Sequence, residues 1–547
     1  MHRFAKSPFW LTLLGGFFLW LAQPPVGWSA LAWLAPLPWL AVVERPDPLS
    51  RKQWWGVWLA GVCYWLAALH WIRLPHPATV FGWPLLASYM AVYLVLFVAT
   101  TRSMRRRLRA PLWLAAPITW VGLEWVQLHF MSGFLMAGLS HTQAFTPSVI
   151  QIADIAGAYG VSFVMLLIAS GLWILGRKAL LKEVLHTADY IGGGVALLAL
   201  AAAAYSTSQQ SIDMPAGPIV ALIQSNKLAV WDVDPDRDRK IMDRMVALTE
   251  RAANSQQPRA NSPQPDLIIW PESMFRTTML TFDGSRTPPP GIAAEVAKSA
   301  GYAAYDLQQL AQRFGVPFLV GLDRFDQIGS ASETPDYRMY NTAAITDAQG
   351  EILATYDKTH LVPFGEYIPF AEGLPALYFM TPMSAGMGTG AGPVAMPLGK
   401  YTLSPSICYE TVIPHVIRRH VAELTAQGNT PDVLVNITND AWFWGSSELD
   451  MHLACAILRC VETRTPMVIA ANGGLSAVID GSGRVRAVSS RQKEQVLIET
   501  VPLDPRDSFY VRHGDWLAGS CAVLAVGAGL WALGMRIRER RTMSRQR

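Results

Sequence analysis

The chain has 547 residues, of which 51% are hydrophobic and only 16% charged, whereas soluble domains average about 25% charged. That deficit, with 21 Trp, argues against an ordinary soluble protein and for a membrane one. A formal net charge of +4 singles out no partner class, nucleic acid included, until the charges are placed.

Apolar runs long enough to cross a bilayer recur near 8–24, 28–43, 54–72, 79–100, 111–131, 152–176 and 190–206, with a last one near 515–535. The first has Arg3 and Lys6 before an apolar stretch, as a signal peptide would, but further spans follow at once, so it reads as a retained helix. Basic residues then sort the loops. Arg45, Arg51 and Lys52 follow the second run. Arg102, Arg105, Arg106, Arg107 and Arg109 follow the fourth, Arg177, Lys178 and Lys182 the sixth, and six arginines the last. The alternate short loops carry almost none, Arg73 being the exception. This alternation predicts an even number of spans, about eight, with both termini in the cytoplasm. Residues between the seventh and eighth spans then lie on the outer face. The expected division is a membrane domain over 1–206, an exported domain over 207–512, and a final helix with a basic tail over 513–547.

Near 217 the pattern changes to strand–helix alternation. Strands are expected at 218–226, 266–272, 317–322, 432–437 and 467–471, and helices at 236–254, 306–315 and 449–463, with a further helix from about 411. The runs 341–347 and 351–357 predict a hairpin across Ala348-Gln349-Gly350. Two more strand-like runs, 475–480 and 484–489, flank Gly481-Ser482-Gly483. Continuous apolar strands in such an alternation mean an α/β layered domain with covered sheets. RTPPPG (286–291) and GMGTG (386–390) read as loops, the second as a flexible one.

The cysteines are Cys63, Cys408, Cys455, Cys460 and Cys521, with no C-x-x-C pair. Cys455 and Cys460 share one predicted helix at a spacing that suits neither a disulfide nor a zinc knuckle. There is no G-x-S-x-G elbow, no H-E-x-x-H and no Walker loop. What stands out is three polar residues at strand ends, where α/β domains place reactive groups: Glu272 closing DLIIWPE, Lys358 after EILATYD, and Cys408 closing TLSPSIC. A thiol attacks as thiolate, so it needs a base and a nearby positive charge. A carboxylate can take the proton, and a lysine can stabilise both thiolate and oxyanion. Singly, each residue has an ordinary alternative: a packed cysteine, an exposed turn glutamate, a solvated lysine. Their contexts favour the chemistry.

WPES, YDKTHLVPFGEYIPF, SICYE and NITNDAWF, in that order, resemble the nitrilase (carbon–nitrogen hydrolase) superfamily. With membrane spans before and after such a domain, the chain is similar to that superfamily's membrane branch, the apolipoprotein N-acyltransferase family. The resemblance implies a multi-span α-helical bundle in the bacterial inner membrane and a periplasmic αββα sandwich. It implies Glu272 as general base, Lys358 as oxyanion-stabilising residue and Cys408 as nucleophile. Glu366, Tyr409 (through its backbone N–H) and Glu410 are implied as supporting residues, and Trp231 as a substrate contact. The implied reaction passes an acyl chain from a phospholipid, typically phosphatidylethanolamine, through a Cys408 thioester. The acceptor is the α-amine of a diacylglyceryl-modified lipoprotein cysteine, and no metal or cofactor takes part. Trp444 departs from the pattern, which has glycine directly after Phe443, and ETRTP (462–466) departs from its E-x-x-R-P spacing.

A membrane-tethered amidase would use the same triad but pass the acyl group to water. A scaffold or transporter with a degenerate exported domain is the non-enzyme alternative, and the intact Glu272, Lys358 and Cys408 argue against it. FAEGLPALYFMTPMSAGMGTG (370–390) is apolar and ends in glycines, as expected of a mobile lid or membrane-dipping arm, with an ordinary packed loop of the αββα domain as the alternative. Glu124 and His129 lie in or near the fifth span; neither is assigned a role.

Overall fold

The computed structural model describes residues 7–182, 192–195, 213–231, 234–254, 264–290, 292–329, 336–371, 373–374, 376, 378 and 385–545. The chain divides into two units, Met1–Ile212 with Ser508–Arg547, and Asp213–Asp507.

In the first unit the apolar runs are helices: α1 (Pro8–Ala22), α2 (Leu31–Val43), α3 (Arg51–Ala68), α4 (Thr79–Arg107), α5 (Leu112–His129) and α6 (Ala158–Leu181), followed by a last helix, Trp516–Arg545. Among the described residues, three segments, Thr79–Arg107, Ala158–Leu180 and Trp516–Glu539, are long and apolar enough to cross a membrane. The expected spans 8–24 and 28–43 are shorter as helices. The 15 residues of α1 reach ~22 Å against a hydrocarbon core of ~30 Å. Pro24 and Pro25, which lack the N–H a helix needs, stop α1. Gly15 lets α1 and α2 meet closely, since a Cβ there would lie 2.3 Å from the Trp39 indole nitrogen. That nitrogen donates to Thr12 O at 3.1 Å. The expected seventh span, 190–206, lies almost wholly outside the described residues.

Charge collects at both ends of this unit. At one end Glu44 pairs with Arg105 at 2.9 Å and Arg177 at 3.1 Å. There Arg102 donates to the Val42 and Val43 carbonyls at the end of α2, and Arg107 pairs with Glu539. At the other end Asp515 accepts from Trp125 Nε1 at 3.1 Å and Tyr510 Oη at 2.6 Å, with His129 Nε2 at 3.5 Å. Glu124 is buried inside α5's packing, accepting from Trp120 Nε1 (2.8 Å) and Ser162 Oγ (3.0 Å).

The second unit contains strands β1 (Ala216–Gln224), β2 (Leu267–Ile269), β3 (Met279–Phe282), β4 (Phe318–Ile328), β5 (Asp336–Thr346), β6 (Ile352–Asp357), β7 (Met396–Leu398), β8 (Tyr401–Ile407), β9 (Val433–Asn439), β10 (Met467–Asn472), β11 (Ala477–Ile479), β12 (Val485–Val488) and β13 (Gln495–Pro502). Seven form one sheet in the order β13-β1-β2-β4-β5-β6, with β3 on β4. Six form another in the order β12-β11-β10-β9-β8-β7. Alternating side chains of each strand point to opposite faces. Val220, Leu222, Ile269 and Ile345 of the first sheet meet Ile407, Val435, Ile437 and Val468 of the second in one buried core. Ala221, Ile223, Ile268 and Val320 instead face α7 (Pro235–Asn254) and α8 (Tyr302–Phe314). The second sheet carries α9 (Pro414–Ala426) and α10 (Glu448–Thr463). The layers are therefore α-β-β-α, and both faces of each sheet are covered, which is why the strands read as unbroken apolar runs.

The expected 341–347/351–357 hairpin is the antiparallel β5–β6 pair. β3, β7 and β13 have no counterpart among the sequence expectations. GMGTG differs from its reading as a flexible loop: Met387 N donates to Glu366 O, Gly388 N to Met339 O and Gly390 N to Lys358 O, at 2.7–2.9 Å. The segment is stitched to β5 and to the turn after β6. Of the expected arm at 370–390, residues 372, 375, 377 and 379–384 lie outside the described residues; Phe370 and Leu374 are exposed.

Candidate active site

The two sheets aim three strand ends at one place. Glu272 follows β2 through Trp270 and Pro271. It comes close to β4 because residue 321 is glycine, where a Cβ would fall 2.6 Å from Glu272 Cα. Lys358 follows β6 directly, and Cys408 follows β8 directly.

Lys358 is 1% exposed and lies between two carboxylates. Its Nζ is 2.8 Å from Glu366 Oε1 and 3.9 Å from Glu272 Oε1. Asn341 on β5 donates from Nδ2 to both, at 2.6 Å to Glu272 and 3.4 Å to Glu366. Glu366 Oε2 accepts from Val362 N at 2.8 Å. Glu272 Oε2 accepts from the backbone N–H of Asn439, at the end of β9 in the other sheet, at 2.8 Å. The Asn439 side chain is held in turn by Asn472.

Electrostatics follow from this crowding. Burial pushes the Glu272 carboxyl above its usual range; Lys358 opposes the shift and Glu366 adds to it. Burial alone would lower Lys358, but Glu366, Cys408 and Glu272 overcome it and hold the ammonium charged well into the alkaline range. Burial also pushes the Cys408 thiol well up; Glu272 adds to that and Lys358 pulls the other way. The resting group is thus a protonated thiol facing a base and a fixed cation, and its ionisation is coupled to proton acceptance nearby.

Cys408 adopts φ 52°, a left-handed conformation rare for a non-glycine residue, found where surrounding structure over-determines it. It begins a short 3₁₀ turn, Cys408–Val412. Glu410, fully buried, fixes that turn. Its Oε2 accepts from Ile407 N at 2.7 Å. Its Oε1 accepts from Tyr356 Oη (2.7 Å), Thr359 N (2.8 Å), Thr359 Oγ1 (2.7 Å) and His360 N (3.0 Å). One carboxylate thereby ties the strand that ends at Cys408 to the residues just after Lys358. From behind, Arg459 reaches the Thr411 and Val412 carbonyls and pairs with Glu462, both side chains fully buried.

The structure therefore brings Glu272, Lys358, Cys408, Glu366, Tyr409 and Glu410 together. Trp231 packs against Trp442 with ring centroids 4.8 Å apart and planes tilted by 43°, and it is 38% exposed. Trp444 has φ 52°, a backbone conformation that suits the glycine of the family pattern, and it leaves its indole exposed. Sequence reasoning missed Asn341, Asn439 and His452. Asn341 lies within a strand and carries no motif. Asn439 is the first residue of NDAWF and His452 follows that string by nine residues, so NDAWF is the signal that could have found them.

Residues 219–509 match the carbon–nitrogen hydrolase family model, and residues 15–171 match the apolipoprotein N-acyltransferase N-terminal domain model. A protein of Rhodopirellula baltica named apolipoprotein N-acyltransferase is 31% identical over 93% of this chain and 95% of its own. One of the same name from Geobacter metallireducens is 32% identical over 96% of this chain and 95% of its own. A third, from Allorhizobium ampelinum, is 31% identical over 90% of this chain and 89% of its own.

Proposed function

The chain belongs to the apolipoprotein N-acyltransferase family, and on that premise we propose that it acylates the N-terminal amine of diacylglyceryl lipoproteins, with a membrane phospholipid as donor. The observation that carries the reading is the convergence of a thiol on Glu272 and on Lys358, which is buried and doubly paired with carboxylates.

In this mechanism Glu272 takes the Cys408 proton as sulfur attacks the ester carbonyl of the phospholipid. The carbonyl oxygen becomes an oxyanion, stabilised by Lys358 Nζ and the Tyr409 backbone N–H. The tetrahedral intermediate collapses, the C–O bond breaks, and Glu272 returns the proton to the departing lysophospholipid alkoxide. The lipoprotein α-amine then attacks the thioester and loses a proton to Glu272. The C–S bond breaks, and Cys408 recovers the proton as the amide forms. Glu366 neutralises Lys358 so that the ammonium does not suppress Glu272's basicity. The thioester conserves the ester's acyl activation, so no cofactor enters the balance. Phosphatidylethanolamine is the proposed donor, and Trp231 with Trp442 a substrate contact.

The proposed topology is eight membrane segments, both termini in the cytoplasm and the sandwich in the periplasm of the inner membrane. The gathering of Glu44, Arg102, Arg105, Arg177 and Glu539 at one end of the helical unit supports a single cytoplasmic face. The short α1–α2 pair leaves sidedness unchanged, because two short helices that return to their starting face count as an even number. The proposed domains remain 1–206, 207–512 and 513–547.

The test is mass spectrometry of the enzyme incubated with phosphatidylethanolamine of defined acyl chains. An acyl adduct on Cys408, absent in Cys408→Ser and discharged by a lipopeptide amine, is expected. No adduct, or discharge to water alone, would overturn the reading in favour of another chemistry or an amidase.

A further inference from the structure

The proposed mechanism leaves His452 without a task. It lies on α10, 4% exposed, and both ring nitrogens are engaged. Nδ1 is 3.2 Å from Asp440 Oδ1 and 3.9 Å from Glu448 Oε1. Nε2 is 2.7 Å from Thr411 Oγ1 and 3.2 Å from the Cys408 carbonyl oxygen. Asp440 Oδ1 also accepts from Thr438 Oγ1 at 2.6 Å. Carboxylates on one side and neutral oxygens on the other suit an imidazolium that donates from both nitrogens. Burial alone would lower the imidazole, but Asp440 and then Glu448 raise it to about 9. The ligand atoms of Asp440, Glu448 and His452 lie within 4.8 Å of one another. A shared metal ion would nonetheless need a ring lone pair, and both nitrogens already face hydrogen-bond partners.

The carbonyl that His452 reaches has a special place. Cys408 O and Tyr409 N–H belong to one peptide group, and that N–H is the oxyanion donor proposed above. Thr411 Oγ1 also donates to Cys408 O at 3.0 Å, and Asn436 Nδ2 approaches it at 3.4 Å. A donor at a carbonyl oxygen draws electron density through the conjugated amide and makes its N–H a stronger donor, more so when the donor is charged. Hydrogen bonding at that oxygen also fixes the peptide plane next to a residue at φ 52°.

We propose that His452 is a positioning residue that polarises the Cys408–Tyr409 peptide, directly and through the Thr411 hydroxyl, and so tunes the oxyanion hole from behind. Asp440 orients the ring and supplies the countercharge. The role rests on the acyl-transfer reading, because it matters only where a carbonyl oxygen develops charge at Tyr409 N–H.

Two reactions of the same sulfur separate this role from packing. Acylation by phosphatidylethanolamine passes through an oxyanion; alkylation by iodoacetamide displaces iodide and forms none. Both are followed at Cys408 by peptide mass spectrometry in full-length wild type, His452→Gln and His452→Ala. One oxyanion donor is worth roughly 10²–10³ in rate, so loss of its polariser is expected to slow acylation about tenfold or more. Alkylation should stay within about threefold of wild type, and Gln, which keeps a neutral donor, should be the milder change. Equal slowing of both reactions, or unchanged acylation in both variants, would overturn the proposal. A wild-type enzyme that alkylates but forms no acyl adduct would overturn the acyl-transfer reading itself, and so is distinguishable.

Discussion

The seven-stranded sheet delivers Glu272 and Lys358 to the site, with Glu366 from the loop after β6, while the six-stranded sheet delivers Cys408 at the end of β8. On the first side the contacts gather around charged side chains: Lys358 against two carboxylates, Asn341 across both, and the Val362 and Asn439 N–H groups on the remaining carboxylate oxygens. On the second they gather around backbone groups: the Ile407 N–H on Glu410, and the Cys408 carbonyl under Thr411 and His452. One sheet thus supplies charge and the other supplies shape. Charge can be removed by exchanging a side chain while the fold persists. The shape is woven into the main chain, so losing a support should cost stability as well as rate.

Glu272→Gln tests the charge side most severely. It removes the proposed base and keeps the volume, so turnover should fall by about 10²–10⁴-fold. Burial pushes the Glu272 carboxyl upward, which favours a neutral amide, but an amide must turn its NH₂ toward the Asn341 or the Asn439 donor, so the melting temperature in detergent should fall less than in Glu410→Gln. A drop as large as that of Glu410→Gln would show that Glu272 is structural and erase the contrast. Glu410→Gln is the matching test of the shape side. Its carboxylate serves the Ile407, Thr359 and His360 N–H groups, and an amide must turn its own NH₂ toward some of them. A buried donor left unpaired costs about 1–3 kcal/mol, more where a charge is lost. Melting temperature and turnover should therefore fall together, and an unchanged melting temperature would remove Glu410 from the scaffold.

A finer probe of the charge side is Glu366→Gln. Glu366 raises Glu272, so removing its charge lowers the Glu272 pKa. Protonated Glu272 cannot accept the thiol proton, and activity is lost as pH falls through that pKa. The acidic limb of the pH–rate profile should therefore move to lower pH in the variant. A limb that stays in place would mean that another group governs it.

Which parts of this arrangement are visible in sequence follows from the same contrast. Glu272, Lys358 and Cys408 each end an apolar strand run, and each lies in a recognisable string, so the candidate set is legible. The β5–β6 hairpin is legible because Gly350, at φ 87°, supplies the turn conformation. Asn341 is not, because its importance comes from β5 lying beside β4, so that one amide spans the ends of β2 and β6. β13 pairs with β1 across nearly the whole unit, a pairing that no local pattern announces. His452 acts 44 positions from Cys408 and reads locally as one more residue of an amphipathic helix. Local chemistry survives in the linear chain, whereas support from behind depends on which strands and helices become neighbours.

The gentlest test concerns His452 and stability. An unfolded imidazole titrates near 6.5, and in the fold Asp440 and Glu448 hold it at about 9. A raised folded pKa stabilises fully below the unfolded value and is lost as pH rises through the folded one. The contribution is thus complete below about pH 6.5 and gone above about pH 9, with an upper bound of about 3 kcal/mol. Glu448, pushed well up by burial and by Asp440, adds a slope of the same sign, as does the raised Cys408 thiol on the alkaline side. The melting temperature should therefore fall from pH 6.5 to 9 in the wild type, and fall less steeply in His452→Gln. The same slope in both proteins would mean that the buried imidazole is neutral, and the oxyanion peptide would then lose its charged support.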